Sequence, residues 1–146
     1  MAIDTELLLM FAARSEHIQQ VIKPALARGD WVLCDRFADA TYAYQGGGRG
    51  VSYQRIQVLA DWTLQGLLPD LTLLFDLPVE VGLQRVEQRN EKADRFEQEK
   101  VDFFEKIRDS YLQAAMGEPD RIKIVDSALS IEGIQQQLVR YLSRLF

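Results

Sequence analysis

Three short apolar runs stand out along the chain, at residues 31–35, 71–76 and 122–126, and each ends in an aspartate. The first two show no alternation of apolar and polar positions, which predicts strands covered on both faces. Segments with a helical spacing of apolar residues separate the three runs. Strands that alternate with helices predict an α/β fold with a parallel sheet and flanking helices.

Apolar residues recur at helical spacing in five segments of the chain. The segments are residues 5–26, 52–67, 78–86, 101–111 and 130–145. The first stops at a Gly-Asp pair, and the second begins at a serine suited to capping a helix and stops before a proline. The third carries a proline where the first helical turn tolerates one. No repeat or linker interrupts the pattern, so a single domain over residues 1–146 is predicted.

Composition narrows the classes of function. Acidic residues outnumber basic ones 22 to 17, and the net charge of −5 argues against a general nucleic-acid binder, which needs a basic surface. The single cysteine, Cys34, excludes an internal disulfide, and the single histidine, His17, argues against a metal site built from imidazoles. No apolar run reaches membrane-spanning length and no signal peptide opens the chain, which predicts a cytoplasmic protein without a membrane partner.

The dipeptide Asp35-Arg36 ends the first predicted strand. Ligands of open α/β sheets bind outside the carboxyl ends of the strands, so this is a candidate site. The guanidinium of Arg36 can hold a phosphate through two parallel hydrogen bonds, and the carboxylate of Asp35 can orient that arginine or hold a magnesium ion. A purely structural ion pair is the alternative. The aspartates that end the other two runs, Asp76 and Asp126, are interpreted as turn-starting or helix-capping residues.

Side chains before and after this dipeptide could hold a small ligand. Thr41, Tyr44 and Gln45 follow it closely and offer a hydroxyl, an aromatic ring and an amide that both donates and accepts. Phe11 and Arg14 lie three apart on the first predicted helix and so share a face, where a ring could stack on a base and a guanidinium could bind its carbonyl groups. Packing in the core, or an apolar stripe with one solvated arginine, explains the same residues without a ligand.

Four segments of the chain resemble bacterial thymidylate kinases. They are LLLMFAARSEH (7–17), VLCDRFADATYAYQGGGRG (32–50), LLPDLTLLFDLPVEVGLQR (67–85) and ADRFEQE (93–99). The resemblance implies a P-loop NTP hydrolase-like fold of the nucleoside-monophosphate kinase type. It also implies the transfer of the γ-phosphate of ATP to dTMP, giving dTDP for dTTP synthesis, with Mg²⁺ as cofactor and in a homodimer.

The resemblance assigns roles within a dTMP site. Arg36 would be a catalytic residue that binds the acceptor phosphate, with Asp35 beside it as a candidate magnesium contact. Tyr44 would lie against the deoxyribose and disfavour a 2′-hydroxyl. Phe11 would stack on the base, although Met10 could take that place, since Phe11 lies one residue nearer the helix arginine than in many relatives. Three residues would contact thymine: Arg14, Thr41 and Gln45.

A basic cluster further along the chain is similar to the lid of this family. Arg89 and Arg95, and after them Lys92, would close over the donor phosphates. The two arginines would act as catalytic residues by stabilising the charge of the transferring phosphoryl group. The lid would span about residues 86–97. The same cluster, interleaved with acidic residues, would also suit a solvated helix laced with ion pairs.

The glycine-rich run at residues 46–50 is not a P-loop. It lacks the Gly-Lys-Ser/Thr ending that holds ATP phosphates, and no Gly-x-x-x-x-Gly-Lys-Ser/Thr occurs in the 146 residues. Its glycines are expected to permit a tight turn near the ligand. Arg49 within the run is interpreted as a solvated loop residue, with phosphate binding as the alternative.

Without a P-loop, the chain resembles the C-terminal two-thirds of a thymidylate kinase, truncated at the N-terminus. The resemblance places a P-loop strand between the strands at 31–35 and 71–76, so a gap or a rearranged or partner-completed sheet is expected. The chain alone is expected to be inactive. Two alternatives stay open. One is a non-catalytic nucleotide-binding or oligomerising remnant of such a kinase, and the other is a deoxynucleoside kinase, which would not need Arg36 for an acceptor phosphate.

Overall fold

The structure is a computed structural model that describes residues 1–88, 97–143 and 145. It divides into two compact units, with the division between Leu68 and Pro69. Each unit has its own secondary structure and is described by itself. The single domain over the whole chain stays a prediction.

The first unit is helical. Its elements are α1 (Ile3–His17), a π-helical segment (Ile18–Ile22), α2 (Lys23–Ala27), α3 (Ala38–Thr41), a second π-helical segment (Tyr42–Gly48) and α4 (Tyr53–Leu64). The first three form one continuous helical stretch, as the apolar spacing predicts. The widened π-helical turn comes just before Pro24, which has no N–H to donate and whose ring would crowd a carbonyl group one turn earlier. This wider turn accommodates the proline without ending the helix.

A core cluster holds the first unit together. Leu7, Phe11, Ile18 and Ile22 recur on one face of the long helical stretch and are at most 5% exposed. Burying a side chain of this size stabilises a protein by about 1.5–3 kcal/mol. The other buried members come from the chain around α3 and from α4: Phe37, Ala38, Ile56, Ala60 and Leu64.

The first predicted strand does not form. Residues 31–35 are irregular, with Trp31 and Leu33 at 68% and 98% exposure. Val32 and Cys34 pack against the core of the first unit, so one side of the segment is covered. The prediction was wrong because a strand needs a neighbour that pairs its N–H and C=O groups, and none of residues 1–68 forms a strand.

The second unit contains a two-stranded parallel sheet. β1 (Thr72–Asp76) and β2 (Ile122–Asp126) pair from Thr72 opposite Ile122 to Asp76 opposite Asp126. A parallel pair requires a crossover connection, which here includes α5 (Val79–Glu87) and α6 (Glu97–Gly117), and α7 (Ile131–Leu142) follows β2. The α/β class and the two later strands are confirmed, whereas the P-loop NTP hydrolase type stays a prediction.

The helix ends follow the sequence in part. Ser130 caps α7, because its hydroxyl accepts from the N–H of Gly133 at 3.2 Å. Pro78 precedes α5 instead of standing in its first turn. α4 ends at Leu64, earlier than predicted, where Gln65 turns the chain with a φ of 51°. Among the described residues, no helix combines the length and the apolar character needed to cross a membrane.

The glycine-rich run is largely helical. Residues 46–48 complete the second π-helical segment, and Gly50, with a φ of 71°, follows it. Gly46 is buried against Tyr53, where an added Cβ would lie 2.5 Å from Cε1 of the ring. The expected tight turn was therefore wrong for residues 46–48. Gly46 permits a close approach between two helices, and only Gly50 uses the left-handed freedom of glycine.

We expect Gly46→Ala to lower the free energy of unfolding by about 1–3 kcal/mol, the usual cost of overpacking a filled core. The added methyl group would displace the ring of Tyr53, and urea unfolding measures the loss. Gly117→Ala is the matched control, since its Cβ would meet nothing within 4 Å. A Gly46→Ala chain as stable as the wild type would contradict the close approach.

Asp76 does more than start a turn at the end of β1. Its carboxylate accepts two hydrogen bonds from the guanidinium of Arg108 on α6, at 2.7 and 2.9 Å. These hydrogen bonds hold the pKa of Asp76 below its usual value. Asp126 matches its interpretation as a turn residue, because its carboxylate accepts from the N–H of Ala128 at 2.9 Å.

The lowered pKa of Asp76 predicts a specific acid sensitivity. A carboxyl group whose folded pKa is depressed stabilises the protein above its unfolded pKa, which is about 3.9. That contribution is lost as the pH falls through the folded value. Between pH 7 and pH 3, the wild type should therefore lose more stability than Asp76→Asn, as thermal melts would show. Asp70→Asn, at an exposed position, should behave like the wild type, and parallel losses in all three chains would exclude this role of Asp76.

Candidate functional site

Arg14 lies half-buried on α1, beside two aromatic rings. The guanidinium carbon is 4.9 Å from the ring centre of Phe11 and 5.6 Å from that of Phe37. Nη2 donates to the carbonyl oxygen of Phe37 at 3.2 Å and to Oγ1 of Thr41 at 2.9 Å. Nη1 is buried and has no hydrogen-bond partner within the described residues. Burial also lowers the pKa of Arg14, so this cation carries a desolvation cost that a ligand acceptor would offset.

Thr41 and Gln45 lie in the helical segments that follow the Asp35-Arg36 dipeptide. Thr41 is fully buried and Gln45 is 4% exposed. Oε1 of Gln45 is buried and lacks a partner in the described part of the chain. Arg14 and Thr41 therefore meet directly, and Gln45, four residues further on, adds a second unused polar atom.

Glu6 was not predicted as a site residue, yet it contacts Gln45 and Arg49. Oε1 of Glu6 accepts from Nε2 of Gln45 at 3.0 Å, and Oε2 forms an ion pair with Arg49. Arg49 is thus engaged by a carboxylate and is not the purely solvated residue that was expected. The helical spacing could have identified Glu6. It lies eight residues before Arg14, about two helical turns, and so shares the same face of the helix.

Arg36 combines a strained backbone with an exposed, oriented side chain. Its φ of 62° is uncommon for a residue other than glycine, and such outliers cluster at functional sites. Its guanidinium carbon lies 4.1 Å from the ring centre of Tyr44, a cation–π contact that orients the charge. Asp35 is exposed and forms neither a hydrogen bond nor an ion pair with the described residues. The structural ion pair between Asp35 and Arg36 is therefore not formed.

Phe11 is 1% exposed and packs within the core of the first unit. As placed, its ring offers no free face for stacking on a base. Met10 is half-buried and lies four residues before Arg14, on the same side of α1. The burial of Phe11 therefore favours Met10 as the residue that contacts a base.

Asp35 is also the predicted contact for a magnesium ion. Within residues 1–88, 97–143 and 145 there is no group of three or more His, Cys, Asp or Glu residues that could hold a metal. Mg²⁺ keeps several of its waters and binds through one or two carboxylates together with substrate phosphates. One exposed carboxylate next to a candidate phosphate-binding arginine fits that chemistry.

Most of the predicted lid falls between residues 88 and 97, which bound a gap in the described part of the chain. Arg89, Lys92 and Arg95 lie outside the described residues. The preceding basic residue, Arg85, donates to the carbonyl oxygen of Ser127 at 3.1 Å. The roles of the three lid residues stay predictions.

The second unit has a cavity of about 340 Å³ at the end of β1. Most of its lining is apolar, including Leu74, Val79 and Phe104, and its charged wall is the Asp76–Arg108 pair. Both members of that pair already bind each other. The first unit, with its unused polar atoms, is therefore the better candidate for a nucleotide site.

Comparison with known proteins decides the family. The family model "Thymidylate kinase" matches residues 1–138. The chain belongs to the thymidylate kinase family. The matched range includes Arg14, Asp35-Arg36, Thr41 and Gln45, so the site lies within the part of the chain that the family shares.

Individual members of the thymidylate kinase family are close relatives. The thymidylate kinase of Pseudomonas putida strain F1 is 61% identical over 138 residues, which are 94% of this chain and 65% of that protein. That of Pseudomonas savastanoi pv. phaseolicola is 57% identical over 145 residues, or 99% of this chain and 69% of the relative. That of Vesicomyosocius okutanii is 55% identical over 135 residues. The chain thus spans about two-thirds of the length of these relatives.

Proposed function

We propose that this chain forms the dTMP-binding part of a thymidylate kinase, which transfers the γ-phosphate of ATP to dTMP and releases dTDP. One observation carries the proposal. Arg14 and Gln45 each hold a buried polar atom without a partner in the described residues, in the unit where the family resemblance places the base. Buried polar atoms are normally paired, and unpaired ones call for an explanation. A bound base that pairs with both atoms would be that explanation.

The two unused atoms complement one edge of a pyrimidine imide. Nη1 of Arg14 can only donate, which suits a carbonyl oxygen of the base. Oε1 of Gln45 can only accept, which suits the ring N–H beside that carbonyl group. Thymine and uracil offer this carbonyl and N–H in adjacent positions. Met10 would cover a face of the ring from α1.

The exposed dipeptide Asp35-Arg36 would bind the acceptor phosphate and the magnesium ion. Arg36, held over the ring of Tyr44, would bind the acceptor phosphate by charge-assisted hydrogen bonds. Tyr44 would lie against the deoxyribose and disfavour a 2′-hydroxyl. Asp35 would hold Mg²⁺ or its waters, and the ion would supply charge neutralisation between donor and acceptor phosphates.

The remaining parts of the proposal concern the whole protein. Arg89, Lys92 and Arg95 would close over the phosphates of ATP, and the protein would work as a cytoplasmic homodimer. No nucleic acid or membrane is expected as a partner. These assignments come from the family, of which the chain spans about two-thirds.

Titration calorimetry tests the proposal with dTMP and thymidine as ligands. The chain should bind dTMP, and Arg36→Ala should weaken dTMP binding roughly tenfold or more, because a charge-assisted hydrogen bond contributes about 1.5–3 kcal/mol. Thymidine has no phosphate, so its affinity should hardly change.

Arg28→Ala is the control for this experiment, because Arg28 is exposed and pairs with Asp30. It should leave both affinities unchanged. Equal losses for dTMP and thymidine in Arg36→Ala would give Arg36 a folding role instead. A wild-type chain that binds neither ligand would count against the proposed function.

A further inference from the structure

The contact between Glu6 and Gln45 constrains which way the Gln45 amide faces. Nε2 of Gln45 donates to Oε1 of Glu6 at 3.0 Å, and the other oxygen of Glu6 is paired with Arg49. An ionised carboxylate accepts hydrogen bonds and donates none. Only the nitrogen end of the Gln45 amide can therefore face Glu6.

The orientation of the amide fixes what remains for a ligand. With its nitrogen bound to Glu6, Gln45 turns its oxygen away, and that oxygen is buried without a partner among the described residues. Gln45 is only 4% exposed, so water offers little compensation. The site therefore presents a fixed acceptor where a freely rotating amide would present either an acceptor or a donor.

We propose that Glu6 is a positioning residue, which holds the Gln45 oxygen ready for a ring N–H and so selects uracil-like bases over cytosine-like ones. This rests on the proposed function. Uracil and thymine carry a hydrogen at ring nitrogen 3, whereas cytosine has a lone pair there. A lone pair would face the Gln45 oxygen and leave both acceptors unpaired.

The contribution of Arg49 to this arrangement can be tested separately from that of Glu6. It binds the second oxygen of Glu6, and its side chain is 41% exposed. An exposed ion pair contributes little to stability. Loss of Arg49 leaves Glu6 as a group that can only accept from Gln45, whereas an amide at position 6 can either accept from the Gln45 nitrogen or donate to the Gln45 oxygen.

Calorimetric affinities of dUMP and dCMP test the inference, with the ratio of the two as the readout. Glu6→Gln keeps the size of the side chain, but its amide can donate to the Gln45 oxygen and let the Gln45 nitrogen face the ligand. We expect the preference for dUMP over dCMP to fall about tenfold in Glu6→Gln, the loss that one unpaired buried group produces. If Arg14 binds the carbonyl oxygen at ring position 4, it retains the rest of the preference, because cytosine carries an amino group there.

Arg49→Gln is the matched control, and its preference for dUMP should equal that of the wild type. An unchanged preference in Glu6→Gln, with dTMP still bound by the wild type, would overturn this inference and leave the proposed function standing. An equal loss in Arg49→Gln would reduce Glu6 to a member of a structural ion pair. Absence of nucleotide binding by the wild type would contradict both the proposed function and the proposed role of Glu6.

A second measurement needs no ligand and no Glu6 variant. The side-chain amide signals of Gln45 can be assigned by NMR through their loss in Gln45→Met. Hydrogen exchange of this amide should be slower than that of Gln54, which is exposed. Equal exchange of the two amides would show that Glu6 does not hold Gln45.

Discussion

The 146-residue chain by itself should transfer phosphate from ATP to dTMP far more slowly than the rates of about 1–10³ s⁻¹ that are typical of enzymes. Phosphoryl transfer depends on positioning and on electrostatic stabilisation at the donor, which P-loop amides and a lysine commonly provide. The chain contains no Gly-x-x-x-x-Gly-Lys-Ser/Thr. Lid arginines can neutralise a phosphate, but they cannot by themselves hold the nucleotide in line with the acceptor.

A coupled assay of ADP release, with dTMP and Mg²⁺ present, measures this rate. The Pseudomonas putida thymidylate kinase, 61% identical to the matched region, is the positive control in the same assay. Calorimetric binding of dTMP to the same sample would show that the inactive chain is folded. Turnover within the enzymatic range would contradict the expectation.

Arg14→Leu should weaken dTMP binding by roughly 10–100-fold, because a charged hydrogen bond to the base contributes about 1.5–3 kcal/mol. Thymidine should lose the same factor, since Arg14 is proposed to bind the base and not the phosphate. This pattern is the opposite of that expected for Arg36→Ala, which should affect dTMP alone. Calorimetry with both ligands distinguishes the two arginines.

Stability provides the control for Arg14→Leu. The substitution removes a partly buried cation, but it also takes away the donor that lies 2.9 Å from the hydroxyl of Thr41, which is fully buried. A buried polar group left without its partner costs about 1–3 kcal/mol. We therefore expect a lower urea midpoint, and the affinity is measured under conditions where the variant is folded, so that the loss of binding is separated from the loss of stability. A large loss of stability together with unchanged affinity in the folded fraction would make Arg14 a structural residue.

The long helical stretch of the first unit could be predicted from the sequence, but the side that it buries could not. Leu7, Phe11, Ile18 and Ile22 appear at helical spacing and form the core. The same spacing places Arg14 on the side of α1 that carries Phe11, three residues earlier. Apolar residues also occupy the exposed side of α1, where Leu8 and Leu9 are each 54% exposed. The buried side is therefore decided by packing against α4, which the spacing alone does not show.

The failures have a shared physical cause, which is dependence on a distant neighbour. Residues 31–35 have the composition of a strand, but composition does not supply the strand that would pair with them. The sequence suggests that Gly46 forms a turn, because it does not show that the ring of Tyr53 packs against this glycine. Glu6 shares a helical face with Arg14, but its role was missed because its partners, Gln45 and Arg49, come about forty residues later.

Cys34, the chain's single cysteine, lies directly before Asp35 and is half-buried. Burial raises the pKa of its thiol, so only a small fraction is thiolate at neutral pH and alkylating reagents will react slowly there. A maleimide or a fluorinated alkyl tag would consequently modify one position, and it would do so faster under mildly alkaline conditions. Any probe attached in this way sits one residue from the candidate magnesium contact, which makes this chain suited to labelling without any cysteine having to be removed.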